Sequence, residues 1–399
     1  MPLTADSLAQ ALRAAVQAQA LHNCPDALRA GQPLAQRPSL DLAVVAFPAQ
    51  GAAVAANVLF SREHPEGHIA TVPPGFGPVQ GLRFDADLQD AEGRSIAWWP
   101  DSDWATMPWE PLWGDGPARF VAPYPASVLK LQVAVGVALV LNPGDWTQAW
   151  AFEGRQRPLR DWLFDMLAVS CNTSTSALVA WLHAQGALRP DGDDALHRLW
   201  AVLGLPTLRL KGTQPDGGWG NAAGAGVGRI QMTAWDTVRL LWWLDPDVPA
   251  APWLAADAPR LPAPNREELL RGLRGQGLDI VLSSGTLAGL PGWVEGIPAQ
   301  VQPGWVQPDG RWRADDRDYP PAARPRTEQV RFAHKIGNTE NYAADAGIVQ
   351  ALRPGGRHYL IALFSNLGQR YAPHPLAAGP WGLPALGAAV DAFLTEQLA

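Results

Sequence analysis

Residues 330–366, VRFAHKIGNTENYAADAGIVQALRPGGRHYLIALFSN, decide the fold class. Three strand-like segments stand in that stretch, VRFAHKIGN (330–338), DAGIVQAL (345–352) and HYLIALFSN (358–366), separated by turn residues. A closing helix is predicted over 386–398. At the other end of the chain, SLDLAVVAFP (39–48) and AANVLFS (55–61) read as two more strands joined by a Pro/Gly/Ala turn. Ahead of them Leu8, Leu12, Ala15, Val16 and Ala20 recur at helical spacing. The middle of the chain reads as helices over 127–140, 159–169, 173–185 and 233–244, the first stopped by Asn142-Pro143-Gly144 and the last N-capped by Thr233. Helix, two strands, a helical block, three strands, helix: that order predicts an α+β, αβα sandwich in one domain spanning 1–399. Its five-stranded antiparallel sheet would be built from both chain ends and flanked by the terminal helices. An all-helical subdomain over about 127–290 would lie beside it. Two stretches rich in Pro and Gly, 62–121 and 297–326, keep no period and are predicted as irregular insertions.

Composition narrows the function classes. Of 399 residues, 47% are hydrophobic and 17% charged, as in a soluble protein with a sizeable core. A net charge of −7 without any Lys/Arg cluster excludes a nucleic-acid partner. No apolar run reaches the roughly 18 residues needed to span a membrane. The opening MPLTADSLAQALRAAVQAQALHN lacks a basic region followed by an apolar one, so a cytoplasmic chain is expected. Cys24 and Cys171 are too few for a disulfide framework and are not spaced for zinc. Free thiols are expected, with a single bridge left open. His64 and His68 have a metal-pair spacing, but Pro65 and Gly67 break the helix that would align them. Gly224, Gly226 and Gly228 lack the strand and acidic residue of a dinucleotide site, and no Gly-x-Ser-x-Gly elbow occurs. No cofactor and no metal is expected, and the partner is a small-molecule substrate. Nothing fixes the oligomeric state.

Lysine usage is more informative. The chain has 31 basic residues, yet its lysines are only Lys130, Lys211 and Lys335. Arginine keeps its proton in proteins, whereas lysine can be tuned to act as a base. Lys130 closes Ser127-Val-Leu-Lys130 at the start of the most apolar helix, where positions i and i+3 share a face. A serine there also meets the free N–H groups and positive dipole end of the helix, which favour an oxyanion. Read separately, this is a surface serine with a snorkelling lysine. Ser170-Cys171-Asn172 stands between two helical stretches, where it is either a helix cap or a pair of polar groups facing a cleft. His334-Lys335-Ile336-Gly337 lies on a late strand, where this chain would ordinarily place Arg on a solvated face.

Taken in order, Ser-x-x-Lys, Ser-x-Asn and Lys-x-Gly resemble the motifs of the penicillin-recognising serine hydrolases, most of all the class A β-lactamases. The similarity extends through LRDWLFDMLAVSCNTSTSALV (159–179), Ile297-Pro298-Ala299 and FAHKIGNTENYAADAGIV (332–349). The resemblance implies acylation of Ser127 with Lys130 as its base. It further implies that Ser170 relays a proton to the leaving group and that Asn172 holds Lys130 and the substrate amide. Lys335 would bind a substrate carboxylate and help keep Lys130 neutral. The backbone N–H groups of Ser127 and Asn338, the latter following Gly337, would form the oxyanion hole.

Three features depart from that family. No Glu occurs between Thr173 and Trp235, where the family carries its deacylating base. Asp216 in TQPDGGWGN is the carboxylate nearest the expected place, with a Gly-rich turn as its other reading, and its spacing to Asn221 differs from the family's. Ile336 stands where the family has a hydroxyl residue that helps bind a carboxylate. A cytoplasmic chain, finally, would not meet peptidoglycan. The expected activity is therefore a serine hydrolase acting on a small ester, amide or β-lactam, an esterase being one such reading, with a non-turnover penicillin-binding or sensor protein as the alternative. Trp98, Trp99, Trp104, Trp109 and Trp113 precede Ser127 and either cover the cleft or pack the insertion onto the body.

Overall fold

The computed structural model describes residues 2–34, 36–86, 103–107, 109–218, 229–314, 316–322 and 328–398. The readings at Trp98, Trp99, Asn221 and Gly224–Gly228 lie outside the described residues. Helix α1 (Ala5–Ala18) starts from a capping box in which Thr4 and Ser7 satisfy each other's backbone N–H groups, and it buries Leu8, Ala9, Leu12 and Val16. Ala20 falls beyond its end at φ 45°. Strands β1 (Leu40–Ala46), β2 (Val54–Phe60) and the two-residue β3 (His68–Ile69) follow. A small sheet of β4 (Leu82–Ala86), β5 (Glu110–Trp113) and β6 (Ala118–Ala122) comes next. The helical block holds α2 (Lys130–Val140), α3 (Leu159–Ala168), α4 (Asn172–Ala184), α5 (Ala195–Val202), α6 (Ala234–Leu244) and α7 (Ala263–Arg274). The chain closes with β7 (Val330–Asn338), β8 (Ala343–Ala351), β9 (His358–Ser365) and α8 (Gly382–Gln397).

The main sheet runs β7-β8-β9-β1-β2-β3, every pair antiparallel. All five expected strands are present in it, and β3 adds a short sixth at one edge. Both faces are covered, which is the αβα arrangement. Ala43 and Val45 of β1 pack into a core shared with α2, α3, α4 and α6, while Leu42, Val44 and Ala46 pack into a second core with α1 and α8. Double coverage explains why these strands read as unbroken apolar runs rather than alternating ones. Each buried Val or Leu among them contributes roughly 1.5–3 kcal/mol by leaving water. One buried carboxylate ties the layers together. Asp41 of β1 accepts from Asn57 Nδ2 at 2.7 Å and from the Ala234 N–H at the start of α6 at 2.8 Å. Burial pushes its carboxyl up to about 6 against these two donors.

The described residues of both insertions include strands that their sequences do not announce. The 62–121 stretch carries the β4–β5–β6 sheet, in which β4 pairs antiparallel with β5 and parallel with β6. Trp104 is buried there, edge-on to Trp109 at 5.4 Å, with the Arg62 guanidinium 4.3 Å above its ring. His64 and His68 lie against Phe120, at 4.6 and 5.4 Å between ring centres. The 297–326 stretch contains a hairpin of Trp312–Ala314 with Tyr319–Arg317. The last α-helix of the middle block, α7, ends at Arg274. Helices α5 and α7 were not anticipated.

Candidate active site

Ser127 lies in a 3₁₀ turn, Ala126–Leu129, that runs directly into α2 at Lys130. The helical start expected at 127 is thus a tighter turn first, and Ala126 enters it at φ 46°. That conformation is unfavourable for a residue with a Cβ. On the opposite side α3 ends at Ala168, and Ser170 takes the left-handed conformation at φ 62° before α4 begins. Helices commonly turn at this point on a glycine. A glycine here would have no hydroxyl to offer. Cys171 caps α4, its Sγ accepting from the Ser174 N–H at 3.4 Å, and its own N–H returns to Asp165 O at 3.1 Å. Both cysteines are free thiols.

This turn brings its polar atoms to Lys130. Lys130, a residue only 2% exposed, donates from Nζ to Ser170 O at 2.5 Å, Asn172 Oδ1 at 2.8 Å and Ser170 Oγ at 3.0 Å. Three acceptors around a buried amine fix both its position and its direction. Ser127 is half-buried and Asn172 exposed, so the group borders solvent on one side.

Strand β7 forms the other wall. It is an edge strand of the main sheet, and it meets the Ser127 turn at Gly337. A Cβ on Gly337 would sit 2.5 Å from Pro125 O and 2.9 Å from Ser127 N. Only glycine lets the strand approach the serine backbone this closely. Asn338 follows at the strand end with its side-chain oxygen buried and without a hydrogen-bond partner among the described residues. Lys335 is fully buried and donates to the neighbouring Ile336 O at 2.9 Å. Ile336, on the opposite face of β7, belongs to the apolar core beneath α1 and α8.

A buried ion network backs this strand. His334 Nδ1 contacts Asp345 Oδ1 at 2.7 Å across to β8, and Nε2 contacts Asp279 Oδ1 at 3.2 Å. Two carboxylates on two ring nitrogens require both N–H groups, hence an imidazolium. Burial by itself would lower the imidazole pKa; Asp345 first, then Asp279, override it and hold the group up at about 9. Asp345 Oδ2 also accepts from the Leu282 N–H at 3.0 Å, and Asp279 Oδ1 from Ser283 Oγ at 2.6 Å. A Cβ on Gly347, paired with His334, would run into the histidine. Sequence reasoning missed this network. Its one visible signal was a lone acid, Asp345, inside an apolar strand.

Of the expected residues, Lys130, Ser170 and Asn172 meet directly, and Gly337 closes on the Ser127 backbone. Asp216 does not join them. It is exposed in a turn, its Oδ1 accepting from the Gly218 N–H at 2.8 Å, and the next residue, Gly217, packs on the backbone of α4 at Ser176. Among the described residues no group of His, Cys, Asp or Glu has a metal-binding arrangement.

No protein-family model and no curated protein matches the chain. Among solved structures it is similar to a β-lactamase from Burkholderia phymatum, at 14% identity and a TM-score of 0.46 over 98% of this chain and 100% of that one. A β-lactamase from Sphaerobacter thermophilus is 14% identical, with a TM-score of 0.42 over 97% of each chain. A mutant of PBP-A, in an acyl-enzyme complex with penicillin G, is 13% identical, with a TM-score of 0.42 over 100% of this chain and 97% of that one. Likeness at this level says nothing of activity, which here is a matter of the chain's own side chains.

Proposed function

We propose that this chain is a serine hydrolase of the penicillin-recognising type, acylated at Ser127. The observation that carries the reading is the buried Lys130 amine, held by Ser170 and Asn172 one helical turn from Ser127. Loss of water favours the neutral form of an amine; with two N–H groups kept for Ser170 O and Asn172 Oδ1, Lys130 Nζ has a lone pair to take the Ser127 proton as Oγ attacks an acyl carbonyl. The oxyanion is received by the N–H groups of Ser127 and Asn338. When the carbon–heteroatom bond breaks, the leaving group gains a proton through Ser170 Oγ. Water then cleaves the ester on Ser127 and releases the acid.

The substrate class follows from β7. Ile336 turns into the apolar core and brings no hydroxyl to the cleft, which removes one partner for a substrate carboxylate and favours neutral esters and amides as acyl donors. Whole-protein mass spectrometry with p-nitrophenyl esters and with benzylpenicillin tests both parts. The expected result is an adduct on Ser127, faster with the ester, and absent from Ser127→Ala. Absence of any adduct in the intact chain would overturn the acylation reading.

A non-turnover acceptor or sensor is the second reading. It is favoured by Asp216, whose carboxylate is engaged in its own turn rather than turned to Lys130. This reading expects an adduct that outlasts the assay; turnover faster than adduct decay removes it.

A further inference from the structure

Two of the three lysines belong to the cleft. The third, Lys211, lines a separate cavity of about 390 Å³ whose walls include Trp113, Trp200, Leu205 and Pro206. This cavity lies where the β4–β5–β6 sheet meets α5 and the short strand at Arg209. Glu110 of β5 pairs there with Arg209 at 2.6 Å. Its lining is largely apolar, and the wall residue Trp113 is 39% exposed. A large apolar side chain left in water at the rim of an apolar cavity is characteristic of binding surfaces.

The polar groups of this cavity divide into satisfied and unsatisfied. Arg209 is neutralised by Glu110. His197 Nδ1 bonds to Asp194 Oδ1 at 2.8 Å and its Nε2 accepts from the Leu210 N–H at 3.0 Å, so both ring nitrogens are occupied. Lys211 differs. Its amine makes no hydrogen bond or ion pair with any described residue. Its stem is nonetheless held in place, because it lies on Gly192. A Cβ on that glycine, at φ +79°, would sit 2.8 Å from Lys211 Cγ and 2.9 Å from Cε. In the same wall the Trp200 indole nitrogen is buried without an acceptor among the described residues. An apolar cavity with a positioned cation and an unanswered N–H fits a ligand that carries negative charge and acceptor atoms.

We propose that this cavity binds a small, flat organic anion, an aromatic carboxylate, with its ring against Trp113 and Trp200 and its carboxylate on Lys211 Nζ. The site is independent of the chemistry at Ser127.

Fluorine NMR titration of the intact chain with para-trifluoromethylbenzoate, and with the corresponding uncharged benzamide, tests it. The carboxylate should bind saturably and at least about tenfold more tightly than the amide. Lys211→Gln should remove that advantage and leave the amide unchanged, and Lys211→Arg should keep it. Trp113→Ala should weaken both ligands, while Ser127→Ala should weaken neither, which separates this cavity from the cleft. Urea midpoints equal to wild type establish that the variants are folded. The proposal is overturned if the carboxylate does not saturate, or if it binds Lys211→Gln and wild type alike.

Discussion

The two walls of the cleft are held by opposite means. The helical wall positions its groups by backbone conformations that side chains ordinarily avoid, Ala126 at φ 46° and Ser170 at φ 62°. The sheet wall has no such residue among those described. There β7 runs in regular register with β8 from Val330 to Asn338, and the buried His334–Asp345–Asp279 network fixes it from behind. Strain places single atoms, the Ser170 hydroxyl above all, and costs about 1–3 kcal/mol per residue. A buried ion network places a whole strand and is sensitive to pH. Function at the first wall should therefore respond to single atoms, and function at the second to the state of its support.

The largest effect is expected where position and chemistry coincide. Lys130→Met should slow Ser127 acylation by about 10³-fold or more, read as the rate of adduct formation, because base and organiser disappear together. Gly337→Ala should come next. Its Cβ meets main-chain atoms that cannot rotate away, so β7 must retreat from Ser127. Acylation should fall by about 10²-fold with far-UV circular dichroism unchanged.

The third prediction concerns the support. His334 binds its proton more tightly in the folded chain, at about 9, than in the unfolded one, at about 6.5. The stability it contributes is thus full below pH 6.5 and lost as pH rises through 9, by up to about 3 kcal/mol in urea unfolding. His334→Gln should flatten that slope. The smallest effect concerns strain itself. Ala126→Gly should raise stability by about 0.5–1 kcal/mol, since glycine adopts the left-handed conformation freely. Ser170→Gly should gain a similar amount while losing acylation rate. A Ser170→Gly variant that is stabilised yet fully active would break the contrast between the walls.

The sequence disclosed the sheet more fully than the insertions, for physical reasons. Strands covered on both faces need apolar residues throughout, so β1, β2 and β7–β9 stand out between Gly and Pro turns. β4–β6 are short, carry Arg, Glu and Pro, and depend on a parallel pairing of β4 with β6, strands distant in sequence, which leaves no local pattern. Helix α7 could have been read, since Leu269, Leu270 and Leu273 form one face of APNREELLRGLR. At the site, Lys130, Ser170 and Asn172 were legible as residue types at characteristic positions. The strain at Ala126 and Ser170 was not, because neither residue type announces a positive φ. Nor was the Asp279 contact, which joins residues 55 positions apart.

The sheet draws on both ends of the chain: Ser39 N–H bonds Asn366 Oδ1 at 2.8 Å across 327 residues. During synthesis the early strands must therefore wait, on the order of tens of seconds at ribosomal speed, for their central neighbour β9 to emerge. Ser127 and Lys130 leave the ribosome long before Lys335 and Gly337. A nascent chain that ends before β7 thus has Ser127 and Lys130 without the second wall, and the cleft forms only once β7–β9 have been made.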